Sequence, residues 1–145
     1  MVYEWRLHMS PPPAPGPELA VDEDLYRCIT TPTWWVDEEN RPSSAAFRHP
    51  DFSTDIVSIA GTPDYTLSRF GPGCGLVLFN YGDAKLIGFL ARKELDPQHP
   101  DNLAHANVYS HPSNSKRKTM ALKLVDLIVA KKSVVVAPHF SAPKE

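Results

Sequence analysis

The sequence predicts an α+β fold: a small mixed or antiparallel sheet of short strands with two or three helices, the long one C-terminal. Three observations carry this. Short apolar runs such as LYRCI (25–29), GLVLF (75–79) and LAHANVY (103–109) recur without the regular strand–helix alternation of a doubly wound sheet. Fifteen prolines against seven glycines in 145 residues force irregular connections and keep the elements short. One segment, 115–132, places Ala121, Leu124, Val125 and Ile128 at the i, i+3, i+4, i+7 spacing of an amphipathic helix.

Residues 1–17 end in SPPPAPGP and read as a Pro-rich arm, with Val2, Trp5 and Leu7 able to dock as an extra strand; residues 18–145 read as a single α+β domain. In LYRCI the period of two puts Leu25, Arg27 and Ile29 on one face and Tyr26 and Cys28 on the other. Arg27 thus shares a face with two apolar residues, which fits either a sheet edge, paired with Asp22, Glu23 or Asp24, or a cation placed for binding. TWWV (33–36) has strong β-propensity, DEEN (37–40) reads as a turn, and Ala45–Phe47 as a brief element anchored by Phe47. DIVSIA (55–60) reads as a strand. A helix is expected from Pro63, with Thr62 as N-cap, to about Phe70, where Gly71-Pro72-Gly73 stops it. GLVLF is apolar on both faces and reads as a central strand. A short helix after Asn80 spans 81–87, and strands follow over 89–95 and 103–109. Val134–Val136 forms a final strand or a tail.

Formal net charge is −2, so no global field draws the chain to nucleic acid. Six basic residues against Asp126 leave 115–132 at about +5. Cations at a helix N-terminus oppose its dipole, so Lys116, Arg117 and Lys118 are not there to favour the helix. No aromatic residues are interleaved for stacking, and nucleic acid is not expected as a partner. Cys28 and Cys74 make no disulfide framework and suggest reduced thiols in a cytoplasmic protein. No apolar run approaches the ~20 residues that span a bilayer, and no secretory signal is read, so a soluble protein without membrane attachment is expected.

The polar stretch Arg41–Thr54, RPSSAAFRHPDFST, lies between apolar runs and concentrates cations and hydroxyls. Arg27, Arg41 and Arg48 are candidates to meet an anionic group. Ser43, Ser44 and Ser53 would supply hydroxyls, His105 an imidazole, and Trp34 or Trp35 a wall. His105 suits a hydrogen-bonded brace for the polar loop or a general base, with His49 opposite. The implied partner is a small anionic ligand or a protein. His99, His105 and His111 recur every six residues, but no HxH, HxxxH or HExxH is present, and neither metal nor cofactor is expected. HAN at 105–107 lacks the carboxylate of zinc deaminases. GPGCG at 71–75 precedes a strand and lacks the ending of a phosphate loop.

Taken together, LYR (25–27), RPSSAAF (41–47), FSTD (52–55) and Pro100 with Ala104-His105-Ala106 resemble a group of short uncharacterised bacterial proteins, over roughly 24–108. That resemblance implies a family and no reaction. The order Arg27, Ser53-Thr54, Glu94 resembles the ADP-ribosyltransferase superfamily, though the superfamily's acidic signature is absent. It implies a strand-borne Arg for dinucleotide phosphates, hydroxyls beside the nicotinamide ribose, and Glu94 of ARKEL steadying an oxocarbenium-like centre. Three functions follow as expectations: a binding or accessory module for an anionic ligand, an NAD-using effector enzyme, and an interaction protein acting through the basic C-terminal helix.

Overall fold

The structure, a computed structural model, describes residues 16–140, so most of the Pro-rich arm lies outside the described residues. The strands are β1 (Asp24–Ile29), β2 (Trp35–Val36), β3 (Arg41–Pro42), β4 (Asp51–Ile56), β5 (Gly75–Asn80), β6 (Leu90–Lys93), β7 (His105–Tyr109) and β8 (Val134–Val136). The helices are α1 (Val57–Ala60), α2 (Pro63–Leu67), α3 (Tyr81–Ile87) and α4 (Asn114–Ala130). Six strands form one antiparallel sheet in the order β6-β7-β4-β1-β5-β8, and β2 with β3 makes a separate ribbon. This is the α+β architecture with short strands and a long C-terminal helix.

Pairing along β1 is uneven. It is zipped to β5 through six residue pairs, Asp24↔Asn80 to Ile29↔Gly75. To β4 it is joined by two, Leu25↔Ile56 and Tyr26↔Asp55. β4 turns instead to β7, which it matches over five pairs. The sheet is therefore two three-stranded halves held at one short seam, and from Arg27 onward β1 and β4 fork apart.

Alternation along the strands separates the two faces as the sequence suggests. Leu25, Ile29, Phe52, Ile56, Val77, Phe79 and Val108 pack with Met120, Ala121, Leu124, Val125 and Ile128 of α4. Phe47 enters this core edge-to-face with Phe52 and Phe79, at 5.7 and 6.3 Å between centroids, and so anchors the Ser44–Phe47 turn. Tyr26, Cys28 and Leu76 point the other way and are covered by Ala60 of α1 and Ala104.

Several local expectations are corrected. TWWV is not one strand: Pro32–Trp34 close a 3-10 turn with Trp34 N donating to Thr31 O at 3.0 Å, and only Trp35 and Val36 extend. Pro32 at the first position, with its fixed φ, favours the turn over a ladder. DEEN is a 3-10 turn over Asp37–Glu39, ended by Asn40 at φ 51°. DIVSIA straddles a boundary. The strand begins at Asp51 and ends at Ile56, and Val57 opens α1, which Gly61 terminates at φ 78°. Thr62 gives no side-chain cap to α2, whereas Asn80 caps α3 by accepting from Asp83 N at 3.1 Å. No helix among the described residues is long and apolar enough to cross a membrane.

Candidate functional site

The fork between β1 and β4 is filled by Arg27. Its Nε and Nη2 donate to Ala46 O at 3.2 and 2.9 Å, and its Nη1 donates to Ser53 O at 3.1 Å. Trp34 and Phe52 lie 4.5 and 4.9 Å from its guanidinium carbon, supplying cation–π contacts. The residue is 7% exposed, and no ion pair among the described residues includes it. Burial pulls its pKa from 12.5 down to about 10, with Cys28 opposing. The expected edge ion pair is thus corrected: β1 is an interior strand, Glu23 accepts from Ser58 and Asp24 accepts from Asn80. A guanidinium has five N–H donors, and three of them account for the two carbonyls.

Ser53 carries the chain of contacts onward. Its exposed hydroxyl lies 3.1 Å from Nε2 of His105, and Nδ1 of His105 lies 2.6 Å from the Glu94 carbonyl oxygen. A carbonyl only accepts, so Nδ1 holds a proton, and in the neutral ring Nε2 accepts from Ser53. The Glu94 carboxylate accepts from the Tyr109 hydroxyl, whose pKa is raised by burial and by that bond. Arg27, Ser53, His105 and Glu94, from β1, β4, β7 and the segment after β6, are joined in one polar sequence.

Beside it, Asp55 is buried and fully engaged. Thr66 Oγ1 donates to it at 2.6 Å, Asn102 Nδ2 donates at 2.7 Å, and Arg69 Nη1 lies 3.8 Å away. Tyr65 OH donates to Asn102 Oδ1 at 3.0 Å, which ties α2 to the segment before β7. This network roofs the fork. The sequence reading missed it, although in DFSTDI the period of two sets Asp51, Ser53 and Asp55 on one face.

Two clefts meet at these side chains. One, of about 180 Å³, occupies the fork, where Arg27, Trp34, Asp55, Arg69 and His99 line it. The other, of about 790 Å³, lies beyond and is bordered by Asp51, Glu94, Leu95, Leu103 and Tyr109. Ser53, Asp96, Asn102 and His105 line both. Leu95 and Leu103, 61% and 64% exposed, give the second cleft an apolar flank.

Of the seven residues proposed from sequence, Arg27, Ser53 and His105 converge, and the other four line neither cleft. Arg41 pairs with Glu39 at 2.6 Å on the ribbon. Ser43 Oγ accepts from Ala45 N at 3.2 Å, capping the turn in which Ser44 is the first residue. Arg48 is exposed at that turn's end, its carbonyl accepting from Arg117 Nε at 3.1 Å. What the Arg41–Arg48 part of the polar stretch contributes to the site is the Ala46 carbonyl. Trp34 forms the wall and Trp35 is buried. His99 borders the fork, whereas His111 lies outside β7 and accepts from Ser113 N. Arg117 also donates to His111 O and Pro112 O, so it fastens the start of α4 while Lys116 and Lys118 have no ion pair among the described residues. Among the described residues no three His, Cys, Asp or Glu side chains are grouped to hold a metal ion.

No protein-family model, curated protein or solved structure matches this chain.

Proposed function

We propose that the protein binds a phosphate-bearing nucleotide across the two clefts and acts on it as an NAD-using enzyme of the ADP-ribosyltransferase-like kind. One observation carries the reading. Of the residues that this chemistry picks out of the sequence, Arg27, Ser53 and Glu94 are linked through His105 and the Ser53 and Glu94 main-chain carbonyls, while the Thr54 hydroxyl donates to Ala106 O. The fork alone, at about 180 Å³, is too small for a dinucleotide. Joined to the cleft beyond it, the space falls in the ~300–1,000 Å³ range of ligand sites.

In this reading the two remaining Arg27 donors, on the terminal nitrogens of a planar guanidinium, meet two oxygens of a phosphate. An anion there also compensates a charge that burial leaves without a carboxylate. Ser53 faces the ribose, Glu94 steadies positive charge developing at the anomeric carbon, and Leu95 and Leu103 lie against an apolar ring. Glu94 stands without the paired acid of that superfamily's signature.

The motifs that suggest kinship with short bacterial proteins fit the same reading. LYR supplies Arg27, RPSSAAF the Ala46 carbonyl, FSTD both Ser53 and Asp55, and AHA supplies His105. A cytoplasmic setting is part of the proposal.

The test is incubation with fluorescent or labelled NAD, following nicotinamide release and transfer, alongside calorimetry with ADP-ribose. Wild type is expected to bind ADP-ribose and release nicotinamide, and Arg27→Ala to do neither. Binding without release would reduce the protein to an accessory module for anionic ligands. Failure to bind either compound overturns both readings.

A further inference from the structure

We infer that Ser53 and His105 form a nucleophile–base pair that carries an acyl group, an activity that needs no nucleotide. Its site is the junction of the two clefts, and its substrate class is a carboxylic ester or thioester.

Three features of the geometry support it. First, the tautomer is fixed. The Glu94 carbonyl, 2.6 Å from Nδ1, holds the proton on that nitrogen and leaves the Nε2 lone pair directed at Ser53 Oγ, 3.1 Å away. A nucleophile, a base within hydrogen-bond reach and a third group orienting the base are what nucleophilic catalysis requires. Here a main-chain carbonyl takes the orienting part, which is why no Ser-His-Asp order is visible in the sequence. Second, access is divided correctly: His105 is 6% exposed whereas Ser53 is open to solvent, so the base is shielded and the hydroxyl can be reached. Third, space lies on both sides of the hydroxyl. The larger cleft offers Leu95 and Leu103 to an acyl chain, and the fork offers Arg27 to an anionic leaving group.

The step balances without a further reactant. Ser53 Oγ attacks the carbonyl carbon while its proton passes to His105 Nε2. The tetrahedral intermediate then collapses, the bond to the leaving group breaks, and Nε2 returns the proton to the departing oxygen or sulfur. Water, deprotonated by the same nitrogen, releases the acid and restores the serine.

A fluorophosphonate probe tests the pair directly, because it reacts with an activated serine and marks the residue for mass spectrometry. Wild type should be labelled at Ser53 and not at Ser58, an exposed hydroxyl held only by Glu23. Ser53→Ala should take no label, and His105→Gln should slow labelling on the order of 10²- to 10⁴-fold, the range of a lost general base. Thermal melts of both variants verify that they fold, and hydrolysis of a nitrophenyl ester by wild type gives a readout without substitution. The inference is overturned if wild type labels no faster than Ser53→Ala, if Ser58 labels equally, or if folded His105→Gln keeps the wild-type rate. Labelling without nicotinamide release sinks the nucleotide reading alone, and the converse sinks this one alone.

Discussion

The two sides of β1 differ more than any other pair of regions in the molecule. Toward β5 it is zipped by six residue pairs, and its side chains there are an ordinary core. Toward β4 the ladder stops after two, and a guanidinium takes the place of the missing rungs. The comparison teaches how a cavity can be made in a small sheet without a large loop. Strands that part must still satisfy their freed carbonyls, and Arg27 does so for Ser53 while also binding Ala46 O of the neighbouring turn. A side chain with five donors on a long stem is suited to that, and it brings a charge along.

Truncation on the zipped side should have the largest effect on stability. Leu76 is fully buried opposite Cys28, and Leu76→Ala should cost about 2–5 kcal/mol in urea denaturation. A loss below about 1 kcal/mol would mean that the seam with β5 is not the firm half of the comparison. At the fork, Arg27→Met removes the donors of two buried carbonyls, about 1–3 kcal/mol, and offsets part of this by no longer burying a cation. Its cost should fall short of Leu76→Ala, while calorimetry finds no binding of ADP-ribose.

A smaller effect concerns pH. His49 packs edge-on to Trp34 at 5.5 Å, and burial first, then the nearby Arg27 charge, lower its pKa from 6.5, with Asp51 pulling the other way. The unfolded chain therefore binds this proton more readily than the folded one. His49 contributes no pH dependence well above 6.5, and it subtracts stability as pH falls below that value. Melts between pH 7.5 and 5 should show a shallower decline for His49→Gln than for wild type, and equal slopes would exclude this cause. Ser53→Ala should cost about 0.5–1.5 kcal/mol, the single hydrogen bond its hydroxyl makes to His105, and yet abolish probe labelling.

What could be read in the sequence follows from the range of each interaction. Alternation in LYRCI and the stripe of α4 are local, so the faces of β1 and the α+β class were legible. Arg27 and His105 announced themselves by residue type on expected strands, and Ser53 by its hydroxyl in a polar stretch. The fork did not, because how far β1 pairs with β4 is written in neither strand alone. Nor did the Ala46 and Glu94 carbonyls, whose contribution does not depend on their side chains. Arg41, Ser43, Ser44 and Arg48 misled for a physical reason. Hydroxyls and charges in a turn-rich segment readily satisfy neighbours two residues away, as Ser43 does for Ala45 and Arg41 with Glu39. The same polar residues hid the start of β4, so Asp55 was assigned to a later strand and its network with Thr66 and Asn102 went unseen.

The described chain begins along β6, where Lys93 N donates to Pro17 O and Leu19 N to Ala91 O, both at 3.0 Å. Gly16 sits so close to the Lys93 carbonyl that a Cβ would collide with it. This strip sheathes the outer margin of the sheet, whose backbone would otherwise stand bare as a template for another molecule's strand. Trimming the protein to Leu19 would therefore convert a covered margin into a sticky one, and a side chain at position 16 would strain the same seal.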